Sequence, residues 1–304
     1  MSGPAVSIVT PCLNMAGFLE QAIRSVLEQD YPAIDYIVVD GGSTDGTLEL
    51  LRRYEGRVRF VSEPDRGPAD AINKGFRLTG GEIVAWLNAD DYYLSRSAVS
   101  EAVRAFAEYP EAAVVYGEGV WVDEAGGEIG PYPVAEFDPA RLAQECFLCQ
   151  PAAFIRRSAF DEAGGLDPDL KYAFDYDLWI RLARRHRFVH VPRRWAASRM
   201  HRATITLGAR RAVFRETLEL LGRHYGYVPF RWVHSYCSFL VDRRDQFFEP
   251  LRPGFGKYLL SLPAGLWYNR RHPLRYFNEW RRIMTWAGLL RRLGIRSGGR
   301  LRKH

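Results

Sequence analysis

The sequence predicts an α/β fold: a mostly parallel, mixed central sheet flanked by helices, with a basic helical appendage at the C-terminal end. Three observations predict it. Strand-like apolar runs alternate with helical ones from the start of the chain, acidic residues stand just beyond strand ends, and composition shifts near Pro229.

The first strand covers 6–10 and leads into a helix over 18–29. In that helix Phe18, Leu19, Ala22, Ile23, Val26 and Leu27 recur at helical spacing and give one apolar face. A strand over 36–40 completes a βαβ unit, the repeat of a parallel sheet. Strands over 58–62, 83–87 and 114–116 follow, with helices over 47–54, 70–78 and 98–108 between them. After Gly117 the texture changes. The run 120–123, the Gly126-Gly127 turn and Ile129 read as a hairpin, so the sheet is expected to be mixed. A short strand over 152–155 and a helix over 175–184 come next. The domain division expected is 1–229 for the α/β domain and 230–304 for the appendage.

At 304 residues, with 47% hydrophobic and 26% charged residues, the chain can bury a full core and has the composition of a folded protein. Its net charge of +6 hides an asymmetry. The segment 230–304 holds 16 Lys/Arg against 4 Asp/Glu, a balance of +12, which leaves 26 against 32, a balance of −6, before it. A tail this basic and aromatic points to an anionic surface, either lipid or nucleic acid. The four cysteines do not form a disulfide framework, which suits a reducing compartment. Cys146 and Cys149 form a lone C-x-x-C before an apolar strand and read as two buried structural thiols rather than half a zinc site. The opening MSGPAVSIVTP has no basic n-region and runs into a strand, as expected of a cytoplasmic chain without a signal peptide. No apolar run approaches the roughly 20 residues that span a bilayer.

In parallel α/β sheets ligands bind beyond the carboxyl ends of the strands. Asp40 closes the second strand in YIVVDGGSTDGT, and Asp90 and Asp91 follow another in IVAWLNADD. A single acid in such a place is ordinarily a helix cap or a solvated loop residue. Two stations on one sheet are harder to assign that way. Adjacent carboxylates repel, so Asp90 and Asp91 point to a bound Mg²⁺ or Mn²⁺, held by carboxylates and phosphate oxygens. There is no G-x-x-x-x-G-K-[ST] loop and no G-x-G-x-x-G after the first strand, which argues against a P-loop NTPase and a dinucleotide dehydrogenase.

The segments SIVTPCLN, YIVVDGGSTDGT, SEPDRGPADAINKG, GEIVAWLNADD and FDYDLWIRL, in this order and spacing, resemble family 2 of the glycosyltransferases, over about residues 5–206. The resemblance implies a GT-A type fold. It also implies an inverting transfer from a nucleoside-diphosphate sugar, with a UDP-sugar the expected donor and Mg²⁺ or Mn²⁺ the expected metal. By motif, Pro11 and Asn14 would border the nucleotide, as would Asp40 and Asp65. Asp90 and Asp91 match the acidic metal motif, and His201 in SRMHRATIT matches a late histidine that approaches the metal or diphosphate. The chain departs from the common pattern in three places. Gly41 stands where many members carry a second Asp, Asn88 where many carry the first Asp of D-x-D-D, and Ile72 where an Arg is common, which leaves Lys74 or Arg66 as phosphate partners.

FDYDLWIRLARR offers two acids for the base. Asp175 precedes Trp179 by four and Leu182 by seven, on the apolar stripe, whereas Asp177 precedes Arg181 by four and has a surface ion pair available. Asp175 is therefore expected to be the general base, and the family's corresponding acid also falls on it. In the tail, Tyr276, Trp280, Ile283, Ala287 and Leu290 follow helical spacing with arginines elsewhere on the wheel. Two readings stay open: a helix packed on the catalytic domain, or an interfacial helix on anionic membrane with Trp267, Trp280 and Trp286 at headgroup depth. No nucleic-acid module accompanies the charge, so no nucleic-acid partner is expected. The acceptor expected is a glycan or lipid-linked sugar at the inner face of the cytoplasmic membrane. The competing functions are a sugar-phosphate nucleotidyltransferase and a non-catalytic nucleotide-sugar binder.

Overall fold

The computed structural model describes residues 3–201, 204–243 and 254–283. They divide into two compact units. The first comprises Met1–Leu142 and Cys146–Thr204, and the second Ala143–Glu145 with the chain from Ile205 on. The division thus falls ahead of the composition shift at Pro229, because the helix before that proline packs with those after it.

In the first unit the chain runs β1 (Val6–Cys12), α1 (Ala16–Leu27), β2 (Ile34–Asp40), α2 (Thr47–Arg52), β3 (Arg59–Ser62), α3 (Pro68–Arg77), β4 (Ile83–Trp86), β5 (Tyr92–Tyr93) and α4 (Ala98–Glu108). It continues through β6 (Ala112–Val122), β7 (Glu128–Pro131), α5 (Pro139–Leu142), β8 (Ala153–Arg156), α6 (Arg157–Glu162), α7 (Phe174–Ala183) and β9 (Arg187–Arg199). The sheet order is β3-β2-β1-β4-β8-β6-β9-β5, with β7 paired to β6. β1 is parallel to both β2 and β4, and every residue of β1 is buried, as a continuous apolar run with two parallel neighbours should be. β8 enters antiparallel between β4 and β6, and β6 and β9 are parallel, so the sheet is mixed as expected.

Two strands escaped the sequence reading. β5 has two residues, and β9 is a long strand, RFVHVPRRWAASR, whose arginines and Pro192 hide its period. Its pairing with β6 shifts register three times, between Ala112/Val114, Gly117/Glu118 and Glu118/Gly119. Near its end β9 pairs with β5, Ala197 opposite Tyr92, and its last residue, Arg199, donates its backbone N–H to Asp91 Oδ1. On one face of that sheet α7 lays Trp179 flat on Trp86 of β4, with ring centroids 5.8 Å apart. Both rings are fully buried.

The second unit is helical: α8 (Ile205–Gly208), α9 (Arg210–Tyr225), α10 (Phe230–Asp242), α11 (Phe255–Tyr268) and α12 (Pro273–Ile283). Gly226 ends α9 in the left-handed region at φ 64°, the usual place for glycine. Phe214 of α9 meets Tyr236 and Phe239 of α10, each at 5.7 Å between centroids. Tyr276 of α12 is fully buried on α11, where Gly265 leaves room for its ring and its hydroxyl donates to the Ser261 carbonyl at 2.9 Å. Trp280 also turns inward and donates to the Tyr258 carbonyl at 3.2 Å. These two residues of the tail helix pack within the helical unit itself. Trp286, Ala287 and Leu290 lie outside the described residues. Trp267, by contrast, is 71% exposed. Among the described residues no helix is long and apolar enough to cross a membrane.

Candidate active site

The carboxyl ends of β1, β2 and β4 meet because β1 sits between the other two, with Cys12 paired to Asp40 and Leu87 donating its N–H to the Val9 carbonyl at 2.9 Å. The loops that follow are cross-tied. Asn14, at φ 54°, takes the left-handed conformation that Asn tolerates better than most residues. Its N–H donates to Ser43 Oγ at 2.7 Å, and its Oδ1 accepts the Thr44 N–H at 2.8 Å. These bonds tie the loop after β1 to the loop after β2. Pro11 is the next-to-last residue of β1, buried and paired with Val39.

Asp40 is fully buried. Its carboxylate accepts the N–H groups of Gly42 and Ser43 at 3.1 and 3.0 Å, the Ser62 hydroxyl at 2.7 Å and the Ser43 hydroxyl. Those donors satisfy the buried acid and tie the loop after β2 to it. The half-buried carboxylate at that edge is Asp65, which accepts the Gly67 N–H at 2.8 Å and is pushed up by burial. It occupies the space beside Gly41, where a Cβ would meet its Oδ2 at 2.7 Å. Lys74 is bound at 2.7 Å to Glu63, and Arg66 lies 3.8 Å from Asp70, so neither expected phosphate partner stands alone.

The acidic pair after β4 divides into two environments. Asp90 is partly open, and its Oδ2 lies 3.2 Å from His201 Nε2. Asp91 is buried. Its Oδ1 accepts the Arg199 N–H at 2.9 Å, and its Oδ2 accepts from Asn88 Nδ2 at 3.1 Å. Burial, and then the charge of Asp90, raise the Asp91 carboxyl well above the usual range. Asn88 therefore lends a donor where the family's acid would add a third negative charge, and Gln150 Oε1 holds it at 3.2 Å.

A divalent cation fits this corner as an open site. Asp90 and His201 offer a carboxylate and an imidazole side by side, and Mg²⁺ and Mn²⁺ take few protein ligands and fill the rest with phosphate oxygens and water. Among the described residues no group of three His, Cys, Asp or Glu that could hold a metal ion is found, and the Asp91 carboxylate, expected with these two, accepts from the Arg199 N–H and from Asn88.

On α7 the structure corrects the sequence reading. Asp175 is half-buried at the first turn, and its Oδ1 accepts the Tyr176 N–H at 2.7 Å. Asp177 does pair with Arg181, at 2.7 Å, but the pair is not at the surface: Asp177 is 4% exposed. Arg181 reaches from it to the carbonyls of Ala163 and Gly165 and so pins the loop that leads into α7. Three further residues were not singled out from the sequence. Arg199 and Gln21 brace the acidic corner. Tyr132 follows β7, and its hydroxyl is pushed up by burial and then by Cys146, Cys149 and the carboxylates of Asp175 and Asp91. It thus stands within electrostatic reach of both acids. The motif that yielded His201 also contains Arg199, and only an unrecognised strand hid it.

Residues 7–164, 158 of the 304, match the profile described as glycosyl transferase family 2, and the chain belongs to that family. It is an enzyme that transfers sugars. An uncharacterised glycosyltransferase of Mycobacterium tuberculosis is 31% identical over 188 residues, covering 60% of this chain and 70% of the relative. The chondroitin synthase of Pasteurella multocida is 30% identical over 192 residues, which are 62% of this chain and 20% of that protein. The expected GT-A fold is found. The crystal structure of Staphylococcus aureus TarS in complex with UDP-GlcNAc superposes with a TM-score of 0.64 at 16% identity, covering 90% of this chain and 83% of that one. A mannosyltransferase of Pyrobaculum calidifontis in complex with GDP-Man and Mn²⁺ gives 0.55 at 20% identity, covering 96% and 79%.

Proposed function

We propose that this chain is an inverting, metal-dependent glycosyltransferase that moves a sugar from a nucleoside-diphosphate sugar, a UDP-sugar first among them, to a hydroxyl of a glycan or lipid-linked acceptor. The observation that carries this is the meeting of Asp90 and His201 beyond β4, beside the loops that hold Asn14 and Asp65. UDP-GlcNAc in TarS, and GDP-Man with Mn²⁺ in the mannosyltransferase, support the donor class and the metal.

In this reading Asn14 and Asp65 border the nucleotide, and Asp90 with His201 holds the cation, which when bound neutralises charge on the departing diphosphate. Asp175 takes the proton of the acceptor hydroxyl as its oxygen attacks the anomeric carbon from the face opposite the leaving group. Inversion follows from that geometry. Purified protein incubated with UDP- and GDP-sugars and an acceptor glycan is expected to release nucleotide with Mn²⁺ and to stop with EDTA. A product with the donor's anomeric configuration overturns inversion, and release that survives EDTA overturns the metal.

Peripheral contact with an anionic membrane belongs to the same reading, carried by Trp267 of the three tryptophans named from the sequence and by leucines beside it. α11 leaves Leu259, Leu260 and Trp267 exposed, and Arg270 and Arg271 follow it. Such a face is of the kind that lies in the headgroup region. The full chain is expected to float with phosphatidylglycerol vesicles, and a Leu260→Glu/Trp267→Glu variant is expected not to. Equal flotation of the two removes α11 from the contact.

A further inference from the structure

Arg199 is a buried cation at the end of β9, 4% exposed, beside two carboxylates, yet among the described residues it pairs with neither. Nε donates to the Asp90 carbonyl at 3.0 Å. Nη1 donates to the carbonyls of Asp123 and Glu124 at 3.2 and 2.7 Å, in the turn between β6 and β7, and Nη2 donates to Gln21 Oε1 on α1. Its guanidinium also lies over the rings of Phe18 and Tyr92, at 5.2 and 5.4 Å. A buried guanidinium needs its donors satisfied, and here neutral oxygens and two ring faces do so.

The consequence is positional. The side chain fixes the Asp90 backbone through the Asp90 carbonyl, while the backbone N–H of Arg199 donates to the Asp91 carboxylate at 2.9 Å. Two residues on, His201 reaches Asp90 Oδ2 and packs its ring on Phe18 at 4.6 Å, the same ring that Arg199 covers. A direct ion pair from Arg199 to Asp90 would instead have occupied the carboxylate with a charge of its own.

We propose that Arg199 is a positioning residue that presents Asp90 and His201 to the divalent cation while keeping its own charge off the Asp90 carboxylate. This rests on the reading of that corner as the metal site. Groups that orient metal ligands typically contribute about 10- to 100-fold in metal affinity.

The test is direct Mn²⁺ titration without substrate, by loss of the free-ion electron paramagnetic resonance signal, alongside thermal unfolding of each variant. Arg199→Lys retains a charge but cannot form the same fan of bonds. It is expected to bind Mn²⁺ about 10- to 100-fold more weakly, with nucleotide release recovering as Mn²⁺ is raised. Gln21→Leu removes one brace, serves if Arg199→Lys does not fold, and is expected to weaken Mn²⁺ binding in the same direction. A folded Arg199→Lys protein that binds Mn²⁺ as the wild type does, or Gln21→Leu doing so where only it folds, overturns the positioning role and leaves the metal site standing. Wild-type protein that binds no Mn²⁺ either alone or with UDP added overturns both.

Discussion

Asp175→Asn is expected to lower kcat by about 10²- to 10⁴-fold, the range typical of general-base assistance, while nucleotide binding with Mn²⁺ stays as in the wild type. Asn keeps the shape and can still accept the Tyr176 N–H, but it cannot take a proton from the acceptor hydroxyl. Parallel titration of UDP by calorimetry and initial-rate measurement at saturating donor separate the two effects. Near-normal kcat in this variant removes Asp175 from the base role. A variant that loses UDP binding as well assigns the residue to the donor site instead.

Asp177→Ala is expected to fail in the opposite way, through stability. Its carboxylate is the anionic partner of Arg181 at 2.7 Å, in a site where Asp177 is 4% exposed. Removing one member of a buried pair leaves the other charge uncompensated and costs about 3–5 kcal/mol. In a unit of this size that corresponds to a fall in melting temperature of roughly 10 °C. The double variant Asp177→Leu/Arg181→Leu, which removes both charges, is expected to recover much of the loss. Thermal unfolding of the single and double variants checks this, and a single variant that melts with the wild type excludes a structural pair.

The two acids of α7 show what local spacing can convey. The i, i+4 relation correctly joined Asp177 to Arg181, because it depends only on helix geometry. It could not show that Arg181 also reaches Ala163 and Gly165, which buries the pair, because that contact depends on a loop folded back from earlier in the chain. The strands β1 to β4 were legible for a similar reason: continuous apolar runs bounded by turns are local signals. β9 was not, since arginines and register shifts obscure a strand that is defined by its neighbour β6. Its absence from the sequence reading concealed Arg199. The strand-end acids were legible as a group and not individually. Asp40 is buried on the N–H groups of Gly42 and Ser43 and the hydroxyls of Ser43 and Ser62, donors that no charge count reveals.

Gly41 couples two loops. A Cβ at that position would lie 2.7 Å from Asp65 Oδ2, the end of a side chain that must turn aside before any larger residue fits. Positions 41 and 65 therefore behave as a single allele spread over two loops, and a substitution at the first is best made together with one at the second.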